Sequence, residues 1–294
     1  MSLRRVGYLG PEGTFSEEAL LASALPDAVE PVPLATIYDT VMALRRGEVE
    51  WALVPIENSL EGSINVTLDL LAGEAQDVEI VGETLLGVSH SLIAADLLEL
   101  EQIDTVVTHP QVPGQCTGLL RGELAHARIL PASSTAEAVR SVLADPQPGR
   151  AALGTVLAAR IYGGTVIREA VEDRDDNETR FVWLGRAQAG AGAPPLRVWD
   201  GAQWKTSIVF WGEGANSPGW LVRCLDEFAR RQINLTKIES RPRRERLGSY
   251  MFFADLEGRR EQSGVGDATA GLRSLCEEVR VLGSYPAARR SGGG

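Results

Sequence analysis

Short apolar runs of strand length alternate with segments of helical period along the chain, up to about residue 185. Runs such as Val6–Leu9 and Trp51–Val54 have the length of buried strands, and a polar turn and a helical segment follow each of them. Strands that alternate with helices in this way predict a mostly parallel sheet covered by helices. We therefore expect an α/β region over residues 1–185.

The pattern of predicted strands and helices changes after residues 186–203. These residues are rich in Gly, Ala and Pro and have the composition of a linker. Patterns of strand, helix, strand, strand, helix and strand then follow between residues 204 and 286, the C-terminal module. The order βαββαβ is that of a ferredoxin-like unit, and such an open sheet commonly pairs edge to edge with a second copy. We expect residues 287–294 to be a disordered tail.

Four polar turns lie where predicted strands begin or end, at residues 10–16, 55–63, 108–115 and 175–180. Ligands bind at the carboxyl edge of α/β sheets, so turns that are far apart in sequence could converge on one cleft. The first turn leads into a helix, whose free backbone N–H groups can hold an anion. The alternative for that turn is a plain glycine turn with a helix cap.

The stretch Asp173–Phe181 combines four acids, two arginines, an amide and one hydroxyl directly before a predicted buried strand. Side chains held at the end of a rigid strand suit a site that needs fixed geometry. On this interpretation Thr179 donates a proton, Arg180 holds a carboxylate and Phe181 packs below them. The alternative is an acidic surface loop with an internal Arg–Asp pair, because charge runs are usually solvated.

Two other positions favour a structural interpretation. A lone histidine in a strand, here His90, is more often a structural residue than a ligand. Ser134 followed by Glu137 has the pattern of a helix capping box, which assigns that turn to helix initiation.

Composition and charge limit the kinds of partner. The 294 residues suggest two domains, and a hydrophobic share of 44% with 23% charged residues is typical of a globular protein. A net charge of −11 argues against nucleic acid and anionic membranes. The three cysteines show no disulfide or metal spacing, which fits a reducing cytoplasm. No run has the length of a membrane span or a signal peptide.

Five motifs in order along the chain resemble the prephenate dehydratase family with a C-terminal ACT regulatory domain. The motifs are Gly10–Ser16 (GPEGTFS), Pro55–Ser59 (PIENS), Thr108–Gln111 (THPQ), Asn177–Phe181 (NETRF) and Ile238–Pro242 (IESRP). The resemblance implies an α/β catalytic region of two lobes, similar to periplasmic binding proteins, followed by the ferredoxin-like ACT domain. Lobe 1 would span about 1–82 and 171–185, lobe 2 would span about 83–170, and their cleft would hold the substrate.

The resemblance also implies a reaction and its residues. The reaction is the conversion of prephenate to phenylpyruvate, water and carbon dioxide in L-phenylalanine biosynthesis, in the cytoplasm and without cofactor or metal. By the family's Thr-Arg-Phe motif, Thr179 would protonate the departing ring hydroxyl. The catalytic residues implied are Thr179, Arg180, Glu57 and Asn58. The substrate-binding residues implied are Gly13, Thr14, Ser59, Ser91, Thr108, Gln115, Asn177 and Phe181.

Regulation is implied for the C-terminal module, with L-phenylalanine as feedback inhibitor in a homodimer or homotetramer. The effector-binding residues implied are Pro218, Gly219, Trp220, Leu221, Glu239, Ser240, Arg241 and Pro242. Trp220 stands where the family has a small residue, and we expect its bulk near the effector pocket to affect effector affinity. The alternative to catalysis is a cytoplasmic sensor that binds an amino acid or anion without reacting on it.

Overall fold

The structure is a computed structural model that describes residues 3–187, 193–212, 214 and 217–289. The helices of this part are α1 (Phe15–Ser23), α2 (Ile37–Arg46), α3 (Asn65–Ala72), α4 (Thr135–Ala144), α5 (Val156–Tyr162), α6 (Trp220–Ala229) and α7 (Ser263–Arg273). The strands are β1 (Arg4–Leu9), β2 (Val29–Leu34), β3 (Trp51–Asn58), β4 (Gly62–Ser63), β5 (Val78–Gly87), β6 (Ser91–Ala94), β7 (Thr105–Thr108), β8 (Arg128–Pro131), β9 (Arg150–Gly154), β10 (Thr165–Arg168), β11 (Glu178–Arg186), β12 (Trp204–Trp211), β13 (Leu235–Pro242), β14 (Tyr250–Glu257) and β15 (Glu278–Pro286).

Lobe 1 is built on the strand order β5-β11-β3-β1-β2, in which β1 runs parallel to both β2 and β3. Strand β11 returns to this sheet from lobe 2 and lies antiparallel between β3 and β5. Its apolar residues Phe181–Leu184 are fully buried, as expected for a central strand. The start of β11 therefore lies where the chain passes from one lobe to the other.

Lobe 2 has its own five-stranded sheet, in the order β10-β6-β9-β7-β8. Helices α4 and α5 pack on it through a cluster of small and branched side chains. We expected this lobe to begin near residue 83, but β5 lies wholly in the lobe 1 sheet. The polar turn after β7 leads into a short 3-10 turn and a π-helical turn rather than the expected α-helix.

The C-terminal module has the strand order β13-β14-β12-β15, which confirms the ferredoxin-like fold. Helices α6 and α7 share a core with one face of this sheet. The other face packs on lobe 1, where Val209, Phe253 and Tyr285 join the same buried cluster as α2 and α3. Strand β15 also touches β5 through a single parallel pair, Gly283 with Ile80, so the two sheets are continuous.

Parts of the predicted linker and tail are docked. Leu196 is buried against lobe 1, and the backbone N–H of Arg197 donates to the carbonyl of Ser23 at 2.8 Å. In the predicted tail, the N–H of Ala287 donates to the carbonyl of Gln203 at 2.7 Å. Residues 188–192 of the linker and 290–294 of the tail lie outside the described residues. In the described part of the chain, no helix has the length and apolar character needed to cross a membrane.

The contact between Gly283 and Ile80 predicts a sharp steric effect. A Cβ at residue 283 would overlap the carbonyl oxygen of Ile80, so the two sheets must separate in Gly283→Ala. We expect a loss of about 1–3 kcal/mol in the free energy of unfolding, measured by denaturant titration. The control Gly87→Ala, on β5 but with open space at its Cβ, should change it by less than about 0.5 kcal/mol. Equal stabilities of the two variants would contradict this account of the junction.

Candidate active site

The four polar turns meet at a cleft of about 470 Å³ between the two lobes. Lobe 1 contributes the turn before α1, the end of β3 and the start of β11, and lobe 2 contributes the segment after β7 and the start of α4. The lining side chains of most chemical interest are Thr14, Asn58, His90, Gln115, Ser134, Asn177 and Thr179. The structure thus shows the convergence that the sequence predicts.

Thr179 lies at the cleft end of β11, directly opposite Asn58 on β3. The side-chain oxygen of Asn58 accepts the backbone N–H groups of Leu60 and Glu61, both at 2.9 Å. The amide nitrogen of Asn58 is therefore the atom that faces Thr179, and it donates to Oγ1 at 2.9 Å. No group in the described residues accepts the hydroxyl hydrogen of Thr179, so this hydrogen is available to a bound molecule.

Hydrogen bonds run from Asn58 through Asn177 to the side-chain oxygen of Gln115, which also accepts from His90. Nδ2 of Asn58 donates to Oδ1 of Asn177 at 2.8 Å, and Nδ2 of Asn177 donates to Oε1 of Gln115 at 3.2 Å. Because Oε1 only accepts, Nε2 of His90, 3.1 Å away, carries the hydrogen. Burial lowers the pKa of His90 despite the bond to Gln115 and the nearby Glu172, and its Nδ1 has no partner among the described residues.

Two helix N-termini open on the cleft, one from each lobe. Thr14 caps α1 and accepts the N–H of Glu17 at 3.4 Å, while Ser134 caps α4 and accepts the N–H of Glu137 at 3.0 Å. Free N–H groups and the helix dipole favour an anion at such ends. Within the described residues, the cleft lining contains no lysine or arginine, so these ends and the neutral donors are the groups available to an anion.

Gly13 joins the two lobes instead of lining the cleft. Its N–H donates to the carboxylate of Glu17 at 2.5 Å, and its carbonyl accepts the hydroxyl of Thr155 on lobe 2 at 2.7 Å. Its φ of 83° is left-handed, and a Cβ there would lie 2.8 Å from Cα of Ala158. The expected role of Gly13 in substrate binding is therefore not supported, because its N–H already has an acceptor.

Two further contacts between the lobes differ in strength. The hydroxyl of Tyr162 on α5 donates to the carbonyl of Glu12 at 2.9 Å. At the cleft itself, Nε2 of Gln111 donates to a carboxylate oxygen of Glu61 at 3.4 Å, and both side chains line the cleft. The second of these bonds is long and exposed, so it holds the lobes together less firmly than the first.

Arg180 and Glu57 point to the opposite face of the sheet, away from the cleft. Nη1 of Arg180 donates to Asp255 at 2.5 Å and Nη2 donates to the hydroxyl of Tyr285 at 2.8 Å. Glu57 forms an ion pair with Lys237 at 3.0 Å. Both side chains are thus engaged with the C-terminal module. The expectation that Arg180 anchors a substrate carboxylate is corrected, because residues 179 and 180 alternate across the sheet and only Thr179 faces the cleft.

Four other predicted substrate-binding residues support the site without lining it. Ser59 accepts the N–H of Glu178 at 3.0 Å and so holds the turn that precedes Thr179. Ser91 and Thr108 are buried in the strands of lobe 2, and Phe181 is a core residue of lobe 1. Their contribution is to the shape of the cleft walls.

Comparison with known proteins gives a consistent result. The family model for prephenate dehydratase matches residues 6–189. A prephenate dehydratase of Mycobacterium sp. (strain KMS) is 39% identical over 98% of this chain and 90% of its own length.

The chain belongs to the prephenate dehydratase family. The predicted family and the predicted reaction class, a carbon–oxygen lyase, are thereby confirmed.

Two solved structures resemble the whole chain. One is a prephenate dehydratase of Arthrobacter aurescens in complex with L-Phe, with 38% identity, a TM-score of 0.83 and coverage of 97% of this chain and 90% of that one. The other is GqqA, described as a quorum quenching acylase, with 28% identity, a TM-score of 0.84 and coverage of 97% and 98%. Because one fold carries both descriptions, the function of this family member must be argued from its site.

Among the predicted effector-binding residues, Trp220 is buried in the core of the module. Its Nε1 donates to the carbonyl of Leu275 at 2.8 Å, and its ring packs beside Phe210 and Phe252 with centroids 6.2 and 5.9 Å apart. The bulk that we expected near the effector pocket therefore lies in the core of the module. Leu221 packs against the same core.

The other predicted effector-binding residues divide between two surfaces. Glu239 accepts the hydroxyl of Ser63 at 3.0 Å and Arg241 pairs with Asp69 at 2.9 Å, so both face lobe 1. Ser240 and Pro242 alternate to the exposed side of β13. Pro218 and Gly219 lie exposed before α6.

Sequence reasoning missed part of the cleft. His90 and Ser134 were assigned structural roles, and both line it. The signal for Ser134 was present, since its capping-box pattern marks a helix N-terminus and such an end can hold an anion. His90 carried no such signal, because its strand pattern is the same for a core histidine. In the described part of the chain, no group of three or more His, Cys, Asp and Glu side chains is arranged to hold a metal ion.

The lowered pKa of His90 predicts a pH dependence of stability. The neutral imidazole is favoured in the folded state, so its contribution is present above the ordinary pKa of 6.5 and is lost as the pH falls through the folded value. We expect the free energy of unfolding to decrease as the pH falls below the ordinary histidine pKa of about 6.5, and this decrease to be smaller in His90→Gln. The exposed His126→Gln should behave as the unmodified chain does. Identical pH profiles for both variants would refute the burial argument.

Proposed function

We propose that the chain converts prephenate to phenylpyruvate in this cleft, with Thr179 as the proton donor to the departing ring hydroxyl. The observation that carries the proposal is the hydrogen-bond direction at Thr179. Its oxygen accepts from Asn58, which leaves its own hydrogen for the substrate. A positioned donor within hydrogen-bond reach of the leaving group is the requirement for general acid catalysis.

The reaction balances without an external electron acceptor. The bond from the ring to its carboxylate breaks and releases carbon dioxide, and the electron pair of that bond moves into the ring. The carbon–oxygen bond to the ring hydroxyl then breaks, and the proton from Thr179 converts the departing hydroxide to water. Thr179 regains a proton from solvent. An alcohol is close to water in acidity, so it is matched to a leaving hydroxide, and formation of the aromatic ring drives the step.

The cleft suits a substrate that must lose charge. An arginine beside the ring carboxylate would stabilise the ground state and not the carbon dioxide that leaves, and so would slow the step. The lining instead offers the N-termini of α1 and α4 and neutral donors, among them Gln115 and Asn177. We assign the two carboxylates of prephenate to these two helix ends. Partial removal of water at the ring carboxylate then favours its loss.

Two other functions fit the geometry less well. A sensor that only binds an anion could use the Thr179 hydroxyl as a hydrogen-bond donor, but it needs no proton transfer at this position. An acylase needs a nucleophile beside a general base. The neighbour of Thr179 is the amide of Asn58, whereas Nε2 of His90 bonds to Gln115. Dehydration with decarboxylation is the reaction that uses a hydroxyl donor without an adjacent base.

Regulation by L-phenylalanine is proposed for the C-terminal module. A relative with 38% identity over nearly the whole chain has a structure in complex with L-Phe. Strand β13 is the free edge of the large sheet, and Ile238 on it is 47% exposed, which suits pairing with a second copy. We propose a homodimer or homotetramer in which the exposed Pro218 and Gly219 of one copy and the exposed Ser240 and Pro242 of its partner enclose the effector.

The proton-donor role predicts a large effect when the hydroxyl of Thr179 is removed. We expect Thr179→Ala to lower kcat at least about 100-fold, with substrate binding retained, as measured from the absorbance of phenylpyruvate in alkali. Thr179→Ser keeps the hydroxyl and should stay within about tenfold of the unmodified enzyme. Near-normal turnover of the alanine variant would exclude Thr179 as the donor.

The pairing of modules predicts a coupled loss of assembly and inhibition. We expect Ile238→Lys to reduce the mass measured by light scattering and to abolish inhibition by L-phenylalanine, because a charge would be buried at the sheet edge. Leu97→Lys, which is 74% exposed on lobe 2, should change neither. Full assembly and inhibition in the Ile238 variant would place the contact elsewhere.

A further inference from the structure

Arg180 closes a ring of hydrogen bonds that joins the catalytic region to the C-terminal module. It is 7% exposed, and its Nε donates to Glu83 of lobe 1 at 2.7 Å while Nη1 donates to Asp255 of the module at 2.5 Å. Ser207 donates to the second oxygen of Asp255 at 2.5 Å, so the hydroxyl of Tyr285, 2.6 Å away, donates to Ser207. Nη2 of Arg180 donates to Tyr285 at 2.8 Å and completes the ring.

The protonation states of Tyr285 and Asp255 agree with the hydrogen-bond directions in this ring. Burial raises the pKa of Tyr285 well above its ordinary value, so the phenol keeps the hydrogen that it donates. Burial also acts to raise the pKa of Asp255, but Arg180, Ser207 and Lys205 outweigh it and hold the pKa below its usual range. The buried guanidinium therefore faces a charged carboxylate and a neutral hydroxyl. Displacing the module would remove Asp255 and Tyr285 as acceptors of Arg180 and leave it with Glu83 and Glu57 of lobe 1.

Glu57, the residue before Asn58, forms a second contact with the module. Lys237 of β13 pairs with Glu57 at 3.0 Å and also donates to Ser63 at 2.7 Å, although its side chain is only 7% exposed. Glu57 lies 3.5 Å from Nη1 of Arg180, so the two contacts form one charged cluster. The two cleft residues that bond to each other, Thr179 and Asn58, thus each have a chain neighbour that is bonded to the module.

The register of β3 and β11 explains how the two faces are linked. Thr179 pairs with Asn58 and faces the cleft, and Arg180 pairs with Glu57 and faces the module. The register then shifts, because Phe181 pairs with Pro55. A bulge at this point separates the last two pairs from the regular ladder behind them. Thr179 and Arg180 keep a regular register with Leu86 and Leu85 of β5, so side-chain bonds to the module add to the ladder chiefly on the β3 side, where Asn58 and Glu57 lie.

We propose that Asp255 and Tyr285 are positioning residues for the reaction: from the C-terminal module, they hold Arg180 and thereby fix Thr179 against Asn58 at the cleft. The inference rests on the proposed role of Thr179. It assigns the arginine of the Thr-Arg-Phe sequence to a junction between domains and makes the module a structural part of the active site.

The test is a double-mutant cycle between the ring and the proton donor, made in the full chain. Asp255→Asn keeps the shape of the side chain and removes its charge. It should lower kcat between about tenfold and 100-fold with a change in KM of less than about threefold, because only the placement of Thr179 is lost. In the Thr179→Ala background the same change should alter the residual kcat by less than about twofold.

Two further variants separate positioning from folding. Tyr285→Phe removes one acceptor of the ring and should show the same cycle with a smaller loss of kcat. Arg280→Met removes two other bonds across the same interface, to the carbonyls of Leu71 and Ala72 at 2.9 and 2.6 Å, and should leave kcat within about twofold in both backgrounds. Thermal unfolding of each variant identifies any that fails to fold, in which case Tyr285→Phe decides the outcome.

The outcomes distinguish this inference from the proposed function. Equal losses of kcat from Asp255→Asn with and without the Thr179 hydroxyl, while Thr179→Ala itself remains impaired, would overturn the positioning role and leave the proton donor in place. Unchanged kcat in both ring variants would overturn it as well. Near-normal turnover of Thr179→Ala would overturn both.

Discussion

The antiparallel pairing of β11 between β3 and β5 is the constraint on which the rest of the structure depends. This strand brings the chain back from lobe 2, so its first residues lie at the boundary of the lobes and its apolar remainder is locked in the core of lobe 1. Since side chains alternate along a strand, one step in sequence separates a residue that faces the cleft from one that faces the C-terminal module. The chemistry and the domain junction are therefore carried by adjacent residues.

The face of the sheet at the module junction and the face at the cleft differ in charge. Arg180, Lys205 and Lys237 lie with carboxylates at the module junction, where charge is paired and buried. The cleft is lined mainly by hydroxyls, amides, two histidines and helix ends; Glu61 adds one carboxylate, and no lysine or arginine lines it among the described residues. A chain with a net charge of −11 thus receives an anion without placing a fixed positive charge beside it. For a carboxylate that must leave as a neutral gas, this arrangement favours the transition state over the bound substrate.

Sequence reasoning predicted what depends on local pattern. The alternation of strands and helices, the βαββαβ order and the convergence of four turns follow from periodicity and from the rule for sheet edges. The contacts of the Arg180 side chain could not be predicted from local pattern, because they depend on strand register and on where the module docks. The N–H of Gly13 was misjudged because its acceptor, Glu17, lies one helical turn away and could equally have pointed to solvent. Trp220 was misplaced because the motif alone does not show that the helix turns it inward.

The unequal contacts between the lobes have a consequence for how the reactant enters and the products leave. Gly13 and Glu12 are each bonded to α5 by a short hydrogen bond, and Gly13 packs directly on Ala158, so this border acts as a pivot. The border at Glu61 and Gln111 is held by one long bond between exposed side chains. Separating the lobes at Glu61 and Gln111 would break a weaker bond than separating them at α5, so this border is where we expect the cleft to admit the reactant and release a flat aromatic product, carbon dioxide and water.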